Sequence, residues 1–211
     1  VGRSSDYNLL DIRNAYVQIS NGGTGVQGTA YVGGMVGTVG STMTLKSDSS
    51  NQAVYGSAVS PSTNAAVKAT SALTPYSGAT VGAYAGGLVG QVYKNTYYYY
   101  YTTYDCYYGC SVTVSDTTVS APSITGAGSF VGGMVGGLPA QGVVTVNNSN
   151  VNGPSISGTG TSSYVAGIVG STSQANISNT FVNSPSITGT GSYIAGMVGA
   201  ASTSSISNAY V

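Results

Sequence analysis

The chain is short of charge. Charged residues fill 5% of its 211 positions, against about 25% in an ordinary globular domain. His, Trp and Glu are missing altogether, and the five acids are Asp6, Asp11, Asp48, Asp105 and Asp116. Without His, Ser-His-Asp and Cys-His nucleophile systems are excluded, as are HExxH zinc sites. Five Asp, three Lys and two Arg are spread along the chain. No acid pair stands at a spacing that implies an acid/base dyad, and the clustered carboxylates of β-helix lyases and glycosidases are not supplied. The glycine phrases lack the GK[ST] ending of a phosphate loop and the helix that follows it. The sequence therefore reads as a non-enzyme, with no catalytic residue, no metal ligand and no cofactor. A net charge of zero removes the electrostatic footprint for nucleic acid or an acidic membrane. No apolar run approaches the ~18–20 residues of a membrane span. No signal peptide is visible, and the chain opens on Val1, which reads as a processed form or a fragment.

Cysteine is scarce as well. Cys106 and Cys110 stand in CYYGC. They read as a small disulfide loop, which implies an oxidising, extracellular setting, or as two free thiols. A ring that short stabilises little. A surface with so few charges is solvated by hydroxyls, amides or attached sugars, or is covered by neighbouring subunits.

What is present is repetition. YVGGMVG at Tyr31, YAGGLVG at Tyr84, FVGGMVG at Phe130, YVAGIVG at Tyr164 and YIAGMVG at Tyr193 are five copies of one phrase, with starts 53, 46, 34 and 29 residues apart. The shrinking period places insertions in the first half. The last three units align throughout, as I-S-N-x-x-V, P-S-I-x-G-x-G and then the phrase. Those are three β-type runs separated by Gly, Pro and Asn. Helix propensity is poor and no 3.6-residue apolar stripe persists. Repeats of this length signal stacking. The fold expected is all-β: a right-handed-type β-solenoid (parallel β-helix) of about five to six irregular coils with a Tyr-rich insertion, three strands to the coil. Residues 1–211 form one domain in this reading, with 1–11 as an N-terminal cap or donor segment and 91–111 as the Tyr/Cys-rich insertion. Coils rising ~4.8 Å each make a stack roughly 30 Å long.

Read as one strand, YIAGMVG is apolar on both faces, so something covers its outer face: an insertion of the same chain, or another subunit. The small residues Gly34, Gly87, Gly133, Gly167 and Gly196 fit close backbone approach or φ > 0, or simply a tight coil interior.

SYIAGMVGAASTSSISNAYV resembles the GLUG repeat of secreted and surface-anchored microbial proteins, in which a G-G-L-V-G phrase, a turn and I-x-N-x-Y follow one another. AGGLVG at Ala85–Gly90 and ISNAYV at Ile206 carry the likeness. It covers most of 12–211, weakly across 38–83 and 91–111. It implies a β-solenoid and an extracellular or cell-surface location. It leaves function open, since such repeats occur in adhesins, in stalks and beside secreted peptidases. The very low charge and high Tyr content depart from the usual bacterial pattern.

Nine of the 18 tyrosines lie between Tyr93 and Tyr108. Tyrosine offers apolar area with a polar tip at low entropy cost. Tyr97, Tyr98, Tyr99, Tyr100, Tyr101, Tyr104, Tyr107 and Tyr108 are thus a candidate contact surface for another subunit or for surface glycans, or an extension covering the solenoid's own wall. Asn147 (NNS) and Asn176 (NIS) are candidate glycosylation acceptors at what reads as one strand position of successive units, or members of a turn-stabilising Asn row.

The chain begins and ends on one phrase, IRNAYV at Ile12 and ISNAYV at Ile206. Solenoid ends are unpaired edges that ordinarily carry caps. The last residues hold no charge, Pro or helix signal, whereas Arg3, Asp6, Asp11 and Arg13 are four of the ten charges. Those four, with Ile206, Tyr210 and Val211, form the expected assembly interface. The leading expectation is an extracellular structural subunit that polymerises head-to-tail with itself into a filament. The other is an adhesin or glycan-binding module of a longer cell-surface protein, and the two sequons would make the chain a glycoprotein.

Overall fold

Runs such as SVTVS, VVTVN and QANIS place Val, Ile or Ala at every second position, so one face of each strand is apolar and the other, Val143 apart, hydroxyl or amide. The structure, a computed structural model, describes residues 10–13, 15, 17–18, 26–28, 31–39, 42–46, 53–56, 66–69, 84–92, 96–99, 102–105, 111–120, 123–127, 130–137, 142–160, 163–184, 186–191 and 193–211. A first coil passes through β1 (Leu10–Arg13), β2 (Val17–Gln18), β3 (Val26–Gly28), β4 (Tyr31–Gly33) and β5 (Val36–Val39). A second follows with β6 (Thr42–Lys46), β7 (Ala53–Gly56), β8 (Ala66–Ala69), β9 (Tyr84–Gly86) and β10 (Val89–Val92). Next comes a hairpin, β11 (Thr96–Tyr99) and β12 (Thr102–Asp105). The third coil is β13 (Ser111–Ser115), β14 (Thr117–Ser120), β15 (Ser123–Gly126), β16 (Phe130–Gly132) and β17 (Val135–Gly137). The fourth is β18 (Val143–Asn147), β19 (Asn150–Asn152), β20 (Ser155–Gly158), β21 (Tyr164–Ala166) and β22 (Val169–Ser171). The fifth is β23 (Gln174–Ser178), β24 (Phe181–Asn183), β25 (Ile187–Gly189), β26 (Tyr193–Ala195) and β27 (Val198–Ala200), after which β28 (Thr203–Ser207) opens a sixth pass.

Like strands of successive coils pair in parallel. Sheet 1 runs β1-β6-β13-β18-β23-β28, and four five-stranded sheets hold the rest: sheet 2 with β2 to β24, sheet 3 with β3 to β25, sheet 4 with β4 to β26 and sheet 5 with β5 to β27. The fold is an all-β solenoid without helices among the described residues. Within 38–83 the described strands β6, β7 and β8 continue the coil. Register turns side chains into columns. Ile12, Leu45, Val114, Val146, Ile177 and Ile206 share one column of sheet 1. Val67, Ile124, Ile156 and Ile187 share one of sheet 3. Leu45, Val114, Val146, Ile124 and Ile156 are wholly buried, each contributing ~1.5–3 kcal/mol. A single coil has nothing to bury them against, so stability is a property of stacking.

Two expectations need correcting. The coil has five strands, not three, because the seven-residue phrase is two strands joined by a bend. In FVGGMVG the chain bends at Gly133–Met134 between β16 and β17. Met134 is fully buried, and its carbonyl accepts the Leu88 and Val89 N–H groups at 2.9 and 3.0 Å. The apolar second face is therefore covered by the phrase itself, since sheets 4 and 5 pack on each other through glycine. A Cβ on Gly132 would overlap the Val135 carbonyl oxygen and stand 2.7 Å from Ile168 O and 2.8 Å from Gly170 N. Gly87, Gly133 and Gly167 each sit against the carbonyl oxygen of the equivalent glycine one coil on. Close backbone approach explains them. Among described glycines only Gly153 has a positive φ.

Candidate assembly surface

The corner between sheets 1 and 2 is built from short polar residues. Asp116, Asn148, Asn179 and Asn208 have φ between 48 and 53°, a left-handed conformation that Asn and Asp tolerate best among residues with a Cβ. Their side chains link the coils: Asn148 Nδ2 donates to Asp116 Oδ1 at 2.6 Å and Asn208 Nδ2 to Asn179 Oδ1 at 3.3 Å. Just after each corner in the three middle units, the buried hydroxyls of Thr117, Ser149 and Thr180 donate to the carbonyl two residues back at 2.7–2.9 Å. An Asn row exists at this corner, but its members are Asn148, Asn179 and Asn208, not Asn147 and Asn176 as the sequence reading had them.

The two sequons do not share a strand position, contrary to the sequence reading. Asn147 is level with Ser178, and Asn176 with Thr145. The two units were aligned two residues out of step. Asn147 Oδ1 accepts from Ser178 Oγ at 3.0 Å and from Asn179 Nδ2 at 3.4 Å. The hydroxyl of its sequon partner Ser149 is buried and also accepts the Thr117 N–H at 3.1 Å. Asn176 Oδ1 accepts from Gln174 Nε2 at 3.3 Å.

Aromatic rings stack along the outside. Tyr31, Tyr84, Phe130, Tyr164 and Tyr193 share one column of sheet 4. The Phe130–Tyr164 and Tyr164–Tyr193 ring centroids lie 5.1 and 4.7 Å apart and nearly parallel. Tyr210 stacks on Phe181 at 5.4 Å, where the two residues form a β-bridge that begins the sixth row of sheet 2.

The uncovered end of the stack carries the site. The exposed large hydrophobics among the described residues are Tyr193, Ile194, Ile206, Tyr210 and Val211. All five belong to the last strand or row of sheets 4, 1 and 2. Ile206 is 48% exposed, whereas Ile177, directly beneath it, is 1% exposed. The loss of one covering coil is the difference. At the other edge of sheet 1, Leu10 and Ile12 are half-buried against the core. Arg13 pairs with Asp11, Nη2 to Oδ2 at 2.9 Å. The hydrogen bond and charge of Asp11 raise the pKa of the Arg13 guanidinium, and the pair leaves this edge locally neutral.

Of the interface residues read from the sequence, Asp11, Arg13, Ile206, Tyr210 and Val211 thus lie on the two outermost strands or just beyond β28. Arg3 and Asp6 lie outside the described residues, as do Cys106, Cys110, Tyr100, Tyr101, Tyr107 and Tyr108. Tyr97, Tyr98, Tyr99 and Tyr104 are in the hairpin, with Tyr97 opposite Tyr104 and Tyr98 opposite Thr103. Sequence reasoning missed Tyr193 and Ile194. Their signal was available, since they open the fifth copy of the phrase, which forms the outer described strand of sheet 4. Among the described residues no group of three or more Cys or Asp side chains is placed to hold a metal, and no helix is long and apolar enough to cross a membrane. No family model, curated protein or solved structure matches this chain.

Proposed function

We propose that the protein is an extracellular, non-enzymatic structural subunit that assembles head-to-tail with copies of itself into a filament. One observation carries the reading: β1 and β28 are the two outer strands of one sheet, in one register. Ile12 and Ile206 head and end the same six-residue column. The large exposed apolar side chains among the described residues lie at one end of the stack, in columns that the other end would continue. A contact between two different ends does not close on itself, and repetition generates a filament. The likeness to surface-protein repeats and the sparse charge support an extracellular setting.

Sedimentation velocity over a wide concentration range tests it, with the double variant Tyr193→Asp, Ile206→Asp beside the parent. The parent grows into large species with concentration. The variant stays monomeric with an unchanged far-ultraviolet circular dichroism spectrum. A parent that stays monomeric throughout contradicts the proposal.

The Tyr hairpin supports a second reading, a glycan-binding module of a longer surface protein. It places four tyrosines within two paired strands. Glycan-array binding lost on Tyr97→Ala, Tyr104→Ala would favour it, and no binding by the parent would remove it.

A further inference from the structure

Head-to-tail contact leaves open which strand lies against which. Among the described residues sheet 1 has six strands and the other four solenoid sheets have five. If β1 of the next copy is laid on top of β28, sheet 1 continues, but sheets 3, 4 and 5 each skip a level. Strands on either side of that gap stand roughly 10 Å apart, far beyond the ~2.9 Å of an N–H···O bond. Tyr193 and Ile194 stay uncovered.

If the next copy is lowered by one level, sheets 3, 4 and 5 continue without a gap. β4 then covers β26, with Tyr31 over Tyr193 and Val32 over Ile194. In sheet 1, however, β28 of the first copy and β1 of the second now claim the same place. The sequence fits that conflict. IRNAYV and ISNAYV agree at five of six positions, whereas ISNAYV agrees with ISNTFV at 177–182, the stretch it packs on, at four. Ala15 and Ala209 stand where the three middle units carry Thr117, Ser149 and Thr180.

We propose that assembly proceeds by strand exchange: β28 of one copy takes the place of β1 in the next and pairs with its β6. The inference rests on the head-to-tail reading and specifies its joint. Every hydrogen bond that β6 makes to β1 is replaced by one to β28, in the register Ile206 to Leu45 and Ser205 to Thr44. Val211 follows into the place of Val17, beside Tyr55, and Tyr210 comes beside Val54. All five exposed hydrophobics are then covered. Simple stacking covers only Ile206, Tyr210 and Val211.

Cysteine cross-linking in the full chain separates the two joints. Ser205 and Asp11 are exposed and Thr44 is half-buried on the same outward face. Register neighbours in a parallel pair lie ~4.8 Å apart, within the ~4.4–6.8 Å Cα range of a disulfide. Within one copy Ser205 and Thr44 are four levels apart, roughly 19 Å, so any bond between them joins two copies. After mild oxidation of Ser205→Cys, Thr44→Cys, with the parent chain as control for Cys106 and Cys110, loss of the monomer band and recovery of the linked peptides are expected. Linkage through Ser205→Cys, Asp11→Cys instead would overturn the exchange and leave head-to-tail assembly standing. Assembly with neither linkage would also overturn it. No assembly of the parent would overturn both readings.

Discussion

Gly132→Ala tests the account of the repeated phrase. The new Cβ would overlap the Val135 carbonyl oxygen and stand 2.7 Å from Ile168 O and 2.8 Å from Gly170 N, where ordinary contact is 3.4–4 Å. All three obstacles are backbone atoms, on the same coil and the next, so no side chain can swing away. Relief requires sheets 4 and 5 to part. Overpacking a filled core costs ~1–3 kcal/mol, and rigid obstacles place this case near ~3 kcal/mol. Alanine returns ~0.4–1 kcal/mol by restricting the unfolded chain. The net loss is ~2 kcal/mol, or ~4–8 °C in melting temperature for a chain of this length. The assay is thermal unfolding followed by circular dichroism. If the phrase were one seven-residue strand with Gly132 facing outward, the sign would reverse, and the variant would melt at or above the parent's temperature. That result refutes the strand–bend–strand reading.

Other substitutions probe the ladders. Asn179→Ala keeps φ near +49° without the Asn side chain and should lose ~1–2 kcal/mol in denaturant unfolding, whereas Asn179→Gly relieves the strain and should lose less. Ile156→Ala empties a fully buried site and should cost ~2–5 kcal/mol, with hydrogen exchange faster in the coils around it than at the distant end of the stack. Ser149→Ala strands the Thr117 N–H and should cost ~1–3 kcal/mol. Tyr164→Leu removes two stacked partners and should cost ~1–3 kcal/mol in the same assay, while Tyr164→Phe should be near neutral.

The stacked, parallel architecture was legible because the repeat survives in short words whose residues serve packing: Val and Ile in columns, Asn at corners, Gly in the phrase. The matched ends were legible for the same reason, since Ile12 and Ile206 stand at the same point of the word. The number of strands was not. YVGGMVG satisfies period-two patterning as a single strand, and what breaks it, a bend whose carbonyl serves two N–H groups of the adjacent coil, depends on a neighbour far away in sequence. The two-step shift between Asn147 and Asn176 escaped for a related reason. Both words contain Asn near a Ser, but the corner residues Asn148 and Asn179, not the sequons, set the register. The exposed pair Tyr193 and Ile194 opens the fifth copy of a word read as apolar on both faces, and its exposure follows from its place in the last described strand of sheet 4.

Electron microscopy of the purified chain at neutral pH, without denaturant, tests the central claim most directly. The account expects filaments with a rise per subunit of ~24 Å, five levels of ~4.8 Å. A rise of ~29 Å, six levels, would keep the filament and reject the exchange. Discrete particles at every concentration would contradict head-to-tail assembly itself.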